Sequence, residues 1–564
     1  MRRLSLTLLA GLMLAGQTAW SRVTLPAHFT SNMVLQQQST LIIHGTATPG
    51  SQVTLVTGWD KKGVTARASA TDGKFTLTLT TPKGSLKPYR MTFSDGEETT
   101  LDNVLVGEVW LGSGQSNMEM PLKGWGKVLN YEQEIAHAQY PQIRLLQVKK
   151  RTSLRPLEQV EVNMGGWQEC SPQYVENFSA LCYFYALRLW EELKVPVGVI
   201  DDDWGGTPAE AWTRAEALQH VTGFEEQARE ILRSNYNEAA VKAYYESLPQ
   251  DRKPHIRDFN NGKHATVLYN AMIHPLIEFP IRGVIWYQGC DNVGRAAQHQ
   301  ALFQTLITDW RKCWKNPSMP FYFVQLANYL QPKDVQPDSQ WALLRESQAD
   351  ALCLPHTGMV TNIDLGDAND IHPKTKREVG RRLAAIALHE TYGKKKTAFT
   401  APVYERYTVE PDGIHIHFAT PQGSEPMVVE DNLPGFTLAG ADRKWRGGRG
   451  QGGSWKEGVG GGGGGAPAPQ SGQQSKTLSQ KKKKKKKKGG HGQGDLWQRG
   501  AGELRGGGLP HSRALRMGRQ PHLHAAHCQR PARRTLPHRP LVGSAHPASP
   551  KTAPRLAEGH PPSR

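Results

Sequence analysis

Four short polar motifs in the chain carry the residue types that acyl transfer requires. A serine hydroxyl becomes a nucleophile only when a neighbouring base takes its proton, and an imidazole held by a carboxylate is such a base. Ser116 follows a glycine-rich turn that exposes a side chain readily, and His372 lies among carboxylates in the sequence. The pattern predicts a serine hydrolase with Ser116 as nucleophile and His372 as base. In chain order the motifs span residues 112–118, 203–208, 288–292 and 366–373.

The same motifs offer donors for the oxyanion that forms in the transition state, which needs preorganised hydrogen bonds. We expect these donors to be the backbone N–H groups of Ser116 and Gly206 and the side-chain amide of Asn292. Each residue alone has a structural alternative, because serine is a frequent helix N-cap, glycine forms tight turns and asparagine caps loops. The four motifs together favour catalysis over those separate roles.

The elements that must position these motifs alternate between strands and helices from residue 105 to 395. Short apolar runs precede the polar motifs, and helical periodicity is present over 180–193, 301–314 and 375–391. Such alternation indicates a parallel sheet covered by helices. Ligands of an open sheet bind beyond the carboxyl ends of its strands, so we expect the four motifs to meet at one edge.

Regions with a β-strand pattern flank this α/β region on both sides. Residues 22–104 alternate apolar and polar positions between turn signals such as Asp72-Gly73, and they predict a β-sandwich module. Residues 396–442 return to short strands. We interpret them as an incomplete β-rich C-terminal segment.

The first 21 residues have the pattern of a secretory signal peptide. Arg2 and Arg3 precede a short apolar run, and Ala19-Trp20-Ser21 places small residues at the cleavage spacing. The run is too short to span a bilayer. We therefore expect an exported protein, periplasmic or secreted, without a membrane span.

The net charge of +18 arises in one segment of the chain. Residues 443–564 hold 26 basic and 4 acidic residues, so the preceding 442 residues carry a net charge of −4. We therefore expect no nucleic-acid binding by the folded body. The segment contains a glycine run at 460–465 and a lysine run at 481–488, and its composition predicts disorder. We interpret it as the product of a frameshift at homopolymeric DNA, and a natural polyanion-binding tail is the alternative.

Beyond their residue types, the motifs closely resemble the sialate O-acetylesterase family, within the SGNH (GDSL-like) hydrolase superfamily. The similarity extends from about Val23 to Lys444. It implies a flavodoxin-like three-layer hydrolase domain at 105–395 that removes acetyl groups from sugars without a metal or cofactor. The reaction would pass through an acetyl-Ser116 intermediate. The matching stretches are residues 107–118, 204–212, 286–289 and 369–373.

The resemblance also assigns residues to the four letters of the superfamily's name. Serine and histidine fall on Ser116 and His372, asparagine falls on Asn292, and glycine falls on Gly205 or Gly206. The side chains expected to contact the sugar are Gln115, Trp204, Trp286 and Gln288. For the aromatic residues of these motifs (Trp204, Trp212, Trp286 and Tyr287), packing in the core is an equal alternative.

Two departures from the family pattern affect the site. Many relatives have glutamate where this chain has Cys290, which changes expected sugar contacts and makes a thiol nucleophile a minor alternative. The superfamily usually has aspartate three residues before the histidine, where this chain has Asn369. Asp370 is therefore the expected third catalytic member, with Asp367 as second choice. A serine–histidine dyad oriented by a backbone carbonyl is a further alternative.

The substrate that the resemblance favours is an O-acetylated sialic acid or glycan. Acetylated xylan or another polysaccharide is the alternative, because the same acyl chemistry serves both substrates. A carbohydrate-binding protein without catalysis is a different class of function. The presence of Ser116, Asn292 and His372 disfavours that class.

Overall fold

A computed structural model describes residues 22–249, 259–333 and 338–411 of the chain, together with residues 413–419, 424, 433–439 and 445–450. The predicted signal peptide and most of the predicted basic tail lie outside the described residues. Among the described helices, none is long and apolar enough to span a membrane.

The strands and helices follow one another along the chain as the alternation predicts. The strands are β1 (Val34–Gln36), β2 (Thr40–Thr46), β3 (Gln52–Thr57), β4 (Val64–Arg67), β5 (Lys74–Thr80), β6 (Ser85–Ser94), β7 (Glu98–Gly114), β8 (Tyr140–Gln147), β9 (Gln168–Cys170), β10 (Val197–Asp203), β11 (Gly283–Tyr287), β12 (Phe321–Val324), β13 (Thr357–Val360), β14 (Val403–Glu410), β15 (Gly413–Ala419), β16 (Leu433–Ala439) and β17 (Trp445–Gly450). The α-helices are α1 (Ser116–Glu119), α2 (Tyr131–Ala136), α3 (Pro172–Val175), α4 (Ala180–Leu193), α5 (Ala215–Leu218), α6 (Glu225–Arg233), α7 (Glu238–Ser247), α8 (Ala296–Cys313), α9 (Gln340–Ala349) and α10 (Lys376–Ile386).

The N-terminal strands β2 to β6 are antiparallel, whereas β1 pairs with β7 in parallel. In β5 every second residue is buried, which is the period expected of a strand with one side towards a core. β5 pairs with β2, while β3 pairs with β4 and β6, and β6 pairs with the first half of β7. The buried residues of these strands join one apolar cluster, so the N-terminal region is held by side-chain burial as well as by ladders.

Strand β7 connects this region to the central sheet without a break. Its first half pairs with β1 and β6, and its second half pairs with β10 and β11. The predicted boundary at 104/105 therefore falls inside a single strand. Because β7 ends at Gly114, the N-terminal region fixes the position of the turn that follows it.

The central sheet has the strand order β13-β12-β11-β7-β10-β8-β9, in which neighbours are parallel except for β8 and β9. Helices α4 and α10 pack on the face that carries Ile285 and Tyr287. Helix α8 packs on the opposite face, which carries Val284 and Trp286. Both faces are buried, so strands such as β11 and β12 are continuous apolar runs. The carboxyl ends of the parallel strands share one edge.

The C-terminal strands form two antiparallel pairs, β14 with β15 and β16 with β17. Strand β17 covers 445–450, which the sequence had assigned to a disordered tail beginning at residue 443. That boundary was too early. The unpaired backbone groups of β16 are satisfied by the next segment of the chain, and a ladder needs no apolar periodicity.

Candidate active site

The nucleophile turn begins where β7 ends. Gly114 has φ +140°, and a side chain there would lie 2.3 Å from the carbonyl oxygen of Tyr287, so the position requires glycine. The next N–H, of Gln115, donates to that same carbonyl at 3.0 Å. Ser116 then opens the short helix α1, in the first turn, whose N–H groups have no partner within the helix.

The loop between β13 and α10 brings His372 to this turn. His372 Nε2 lies 2.8 Å from Ser116 Oγ, although 256 positions separate the two residues in the chain. The side-chain amide of Asn117 donates to the carbonyl of Ile371 at 3.0 Å and ties the loop to the turn. The structure therefore brings together the hydroxyl and the imidazole that the sequence had paired.

Of the two candidate carboxylates, Asp370 is the one that contacts the imidazole. Its Oδ1 accepts the backbone N–H of His372 at 2.8 Å and lies 3.5 Å from His372 Nδ1. Asp367 instead accepts the backbone N–H of Asn369 at 2.8 Å and stabilises its own turn. The geometry is thus compatible with Asp370, rather than Asp367, holding the Nδ1 side of the ring.

The environment of His372 favours the neutral form of its imidazole. Burial lowers the pKa of His372 below its usual value, and the positive charge of Lys376 lowers it further. Asp370 and Glu119 oppose this change and raise the pKa. A neutral ring with its proton on Nδ1 leaves Nε2 free to accept a proton from Ser116.

The loop after β10 packs directly against the nucleophile. The N–H of Trp204 donates to the carbonyl of Gly114 at 3.1 Å, and a side chain on Gly205 would lie 3.2 Å from Ser116 Cβ. Gly206 adopts φ +70°, with Lys263 Cε 4.0 Å from the position that its side chain would occupy. The Gly205-Gly206 turn therefore lies next to Ser116 at the carboxyl ends of the strands.

Asn292 lies at this edge but its amide is already engaged. Its Oδ1 accepts from the N–H of Ala209 at 3.0 Å and from Gln288 Nε2 at 2.6 Å. Its Nδ2 donates to Glu210 Oε2 at 3.0 Å. An amide nitrogen carries two hydrogens, so only one remains for an oxyanion. Asn292 therefore links Ala209, Glu210 and Gln288 by hydrogen bonds in the interior. If it also contacts an oxyanion, it does so with its one remaining hydrogen.

The side chains expected to contact the sugar are mostly buried and have partners within the protein. Gln115 Oε1 accepts from the N–H groups of Gly289 and Asp291 at 2.9 and 3.4 Å, and Gln288 is fully buried in the Asn292 network. Trp286 is 1 % exposed and packs edge-on against other indoles of the core. Trp204 is partly buried and packs against the same core. These side chains support the loops at the sheet edge through contacts in the interior.

Three residues near the reacting pair were not anticipated from the sequence. Trp125 is 53 % exposed, and its ring lies edge-on 5.0 Å from the ring of His372. Asn117 and Lys376 are buried and hydrogen-bonded to each other at 2.7 Å. A signal for Trp125 existed in its glycine neighbours, since an aromatic residue in a Gly-Trp-Gly loop rarely belongs to a core.

A thiol nucleophile is disfavoured by the surroundings of Cys290. Burial raises the pKa of the Cys290 thiol to about 12, so the reactive thiolate is scarce near neutral pH. Ser116, by contrast, has an imidazole within hydrogen-bonding distance. The surroundings therefore favour the Ser116 hydroxyl over the Cys290 thiol as a nucleophile at this edge.

Known proteins resemble the chain in sequence and in structure. A family model described as "Carbohydrate esterase, sialic acid-specific acetylesterase" matches residues 254–389. The human sialate O-acetylesterase is 30% identical over 410 residues, which cover 67% of this chain and 73% of that protein. The mouse sialate O-acetylesterase is 30% identical over 412 residues, which cover 67% of this chain and 75% of that protein.

A crystal structure of a carbohydrate acetylesterase from Xanthomonas citri aligns with a TM-score of 0.63 at 33% identity. The alignment covers 75% of this chain and 88% of that one. The mixed α/β fold and these relatives define a carboxylic ester hydrolase that acts as a carbohydrate O-acetylesterase. More narrowly, the chain belongs to the sialate O-acetylesterase family.

Proposed function

We propose that the protein removes O-acetyl groups from sialic acids through an acetyl-Ser116 intermediate. The observation that carries this mechanism is the 2.8 Å contact between Ser116 Oγ and His372 Nε2. His372 takes the hydroxyl proton as Oγ attacks the acetyl carbonyl carbon. The tetrahedral intermediate then collapses, the bond to the sugar oxygen breaks, and His372 returns the proton to that oxygen.

Hydrolysis of the acetyl-enzyme repeats these steps with water in place of Ser116. His372 takes a proton from the water as its oxygen attacks the acetyl carbon, and it returns the proton to Ser116 Oγ as acetate leaves. In both steps Asp370 keeps the Nδ1 proton in place and stabilises the imidazolium that forms. The 3.5 Å separation of Asp370 Oδ1 and His372 Nδ1 supports this role.

The oxyanion of each intermediate would be held by backbone N–H groups of Ser116 and Gly206. Their support is that Ser116 opens α1, and that the Gly205-Gly206 turn packs against Ser116 Cβ. The remaining hydrogen of Asn292 Nδ2 is the third proposed donor. Such donors act strongly because they are fixed before the charge develops.

An exposed ring and a partly exposed cation lie near the reacting pair, and the cation favours a charged sugar over a neutral one. Trp125 offers an open aromatic face beside His372, and sugar C–H groups pack on such faces. Lys263 lies beside Gly206, and its Nζ is 3.5 Å from Asp291 Oδ1. A half-exposed ammonium at this place suits the carboxylate of a sialic acid, whereas xylan has no such carboxylate.

We extend the proposal to the architecture and the location of the protein. Numbered in chain order, the strands β7, β10, β11, β12 and β13 lie in the order 2-1-3-4-5, which is the flavodoxin-like order. This supports a three-layer SGNH hydrolase domain with β8 and β9 added at one side. The paired N-terminal strands support a β-sandwich module. The pattern of residues 1–21 supports export.

The test of the mechanism is Ser116→Ala, assayed with a chromogenic acetate ester and with O-acetylated sialoglycan. We expect both activities to fall by about 10³-fold or more with an unchanged circular dichroism spectrum. Cys290→Ala is the matched control and should retain turnover. Retained turnover in Ser116→Ala would contradict the mechanism. Unaltered glycan binding with no acetate release from the wild-type protein would identify a binding protein instead.

The test of the substrate is acetate release from O-acetylated sialoglycan compared with release from acetylated xylan. We expect a higher kcat/KM on the sialoglycan. A higher kcat/KM on xylan would reassign the protein to plant polysaccharide while leaving the Ser116 mechanism intact.

A further inference from the structure

The loop that carries the base is tied to the nucleophile turn on both sides of His372. On one side, Asn117 Nδ2 donates to the carbonyl of Ile371 at 3.0 Å. On the other side, Lys376 Nζ donates to the carbonyl of Pro373 at 2.8 Å. The two ties meet, because Lys376 Nζ also donates to Asn117 Oδ1 at 2.7 Å. The backbone carbonyls on both sides of His372 are therefore hydrogen-bonded to Asn117, directly or through Lys376.

The cation in this arrangement is costly to keep. Lys376 is 1 % exposed, and its Nζ lies 5.7 Å from the ring centroid of Tyr287. Burial lowers the pKa of Lys376 to about 7, while the charge of Asp370 raises it. An apolar residue of similar size would fill the same space without the cost of burying an ammonium group. What Lys376 adds is its charge and the two hydrogen bonds of Nζ, to Asn117 Oδ1 and to the carbonyl of Pro373.

We infer that Lys376 and Asn117 are positioning residues of the esterase, which hold His372 at the distance and in the protonation state that attack by Ser116 requires. This inference rests on the proposed mechanism. The geometric part comes from the three hydrogen bonds, which leave the imidazole little freedom relative to Oγ. Displacement of a catalytic group by about 1 Å is enough to cost about 10²-fold in rate.

The electrostatic part comes from the charge of Lys376 beside the imidazole. The charged groups that face His372 are Asp370 from its own loop, Lys376 from α10 and Glu119 from α1. Only Lys376 favours the neutral ring. The base acts in its neutral form, so activity is lost as the pH falls through the pKa of His372. By lowering that pKa, Lys376 extends activity to lower pH.

Two substitutions separate the geometric part from the electrostatic part. Lys376→Met removes both the donors and the charge, so we expect kcat to fall about 10-fold or more and the acid limb of kcat/KM to move up by about one pH unit. Asn117→Ala removes two of the three hydrogen bonds and leaves the charge. For this variant we expect a similar fall in kcat, an acid limb near its wild-type position, and little change in KM for a small chromogenic ester.

The matched control is Lys374→Met, which removes an exposed lysine from the same loop and should leave kcat and the acid limb unchanged. The wild-type protein and Ser116→Ala are measured first, so that failure of the mechanism is recognised before the variants are compared. Unfolding curves establish that each variant is folded. If Lys376→Met does not fold, Asn117→Ala alone decides the geometric part.

The inference is overturned if folded Lys376→Met keeps the wild-type acid limb, or if folded Asn117→Ala keeps the wild-type kcat. A merely structural role for either residue would lower the unfolding midpoint and leave both of those kinetic quantities unmoved. Movement of the acid limb in Lys376→Met but not in Asn117→Ala supports the separate roles.

Discussion

The residues on the two sides of Ser116 differ in burial. We call the side of Gln288 and Asn292 the sheet side, and the side of the loop that carries Asp370 and His372 the loop side. On the sheet side, Gln288 and Asn292 are fully buried and hydrogen-bonded to the loop after β10. On the loop side, the side chains of His372 and Asp370 are 27% and 42% exposed. The sheet side therefore shares its contacts with the core of the protein, whereas the loop side depends on a few hydrogen bonds. Changes on the sheet side should alter folding, and changes on the loop side should alter chemistry.

The largest effect is expected on the loop side, from Asp370→Asn. Loss of the carboxylate removes the partner that holds the Nδ1 proton, so kcat should fall by about 10³-fold with less than about 1 kcal/mol lost in stability. Asp370 raises the pKa of His372. Its removal lowers that pKa, so the acid limb of the residual activity should move to lower pH, opposite to the shift expected for Lys376→Met.

The control for this prediction is Asp367→Asn, which alters a carboxylate in the same loop that contacts the backbone of Asn369. Its kcat should stay within about threefold of wild type. An equal loss in both variants would mean that the loop needs its negative charge as a whole, and the assignment of Asp370 would fail.

The next effect in size is expected on the sheet side, from Asn292→Ala. The substitution removes three hydrogen bonds of a buried side chain, to Glu210, to Gln288 and to the N–H of Ala209, which should cost about 2–4 kcal/mol of unfolding free energy. Urea unfolding measures this loss. Asn369→Ala, on the exposed loop, is the control and should change stability by less than about 0.5 kcal/mol. Equal losses would erase the distinction between the two sides.

A smaller effect is expected where the loop side meets the substrate, from Trp125→Ala. A bound sugar would cover the exposed ring of Trp125, and such an aromatic contact is worth about 1 kcal/mol. Loss of the ring should therefore raise KM for a sialoglycan about tenfold. KM for a small chromogenic ester, which has no sugar to pack, should change by less than about threefold. Tyr407→Ala removes a comparably exposed ring far along the chain and serves as the control. Parallel changes on both substrates would show that Trp125 supports the loop rather than the sugar.

The sequence predicted the parts of the site whose residue type is dictated by the reaction. Ser116 and His372 follow strands of a parallel sheet, and such strands deliver their loops to one edge whatever the details between them. The helices α4, α8 and α10 were also predictable, because helical periodicity is a local property. Strand β8 is hard to predict because Arg144, which is 2 % exposed, interrupts its apolar run with a charge.

The roles of residues that depend on burial could not be predicted from the sequence. Lys376 opens α10 in a stretch rich in charge, where a solvent-exposed lysine is the ordinary outcome. A cation in the first turn of a helix is unfavourable, and that was the one local sign of a special role. The burial of Gln115 and Gln288 could not be predicted for the converse reason, since a polar side chain in a site motif contacts substrate or backbone with equal ease. Only the folded chain shows which neighbour it meets.

The smallest expected effect tests the charge at the rim between the two sides. Lys263 lies beside Gly206 and is held near Asp291 at 3.5 Å. Because a partly exposed ion pair contributes no more than about 1 kcal/mol, Lys263→Met should raise KM about threefold for an O-acetylated sialic acid and leave kcat unchanged. The effect should shrink at high salt, and acetylated xylan, which lacks the carboxylate, should show neither change. Lys149→Met, which removes another ion-paired lysine that is more exposed, is the control. Equal changes on both substrates would mean that Lys263 stabilises the Gly205-Gly206 turn and does not bind the carboxylate. Any preference for an anionic sugar would then have to come from other residues.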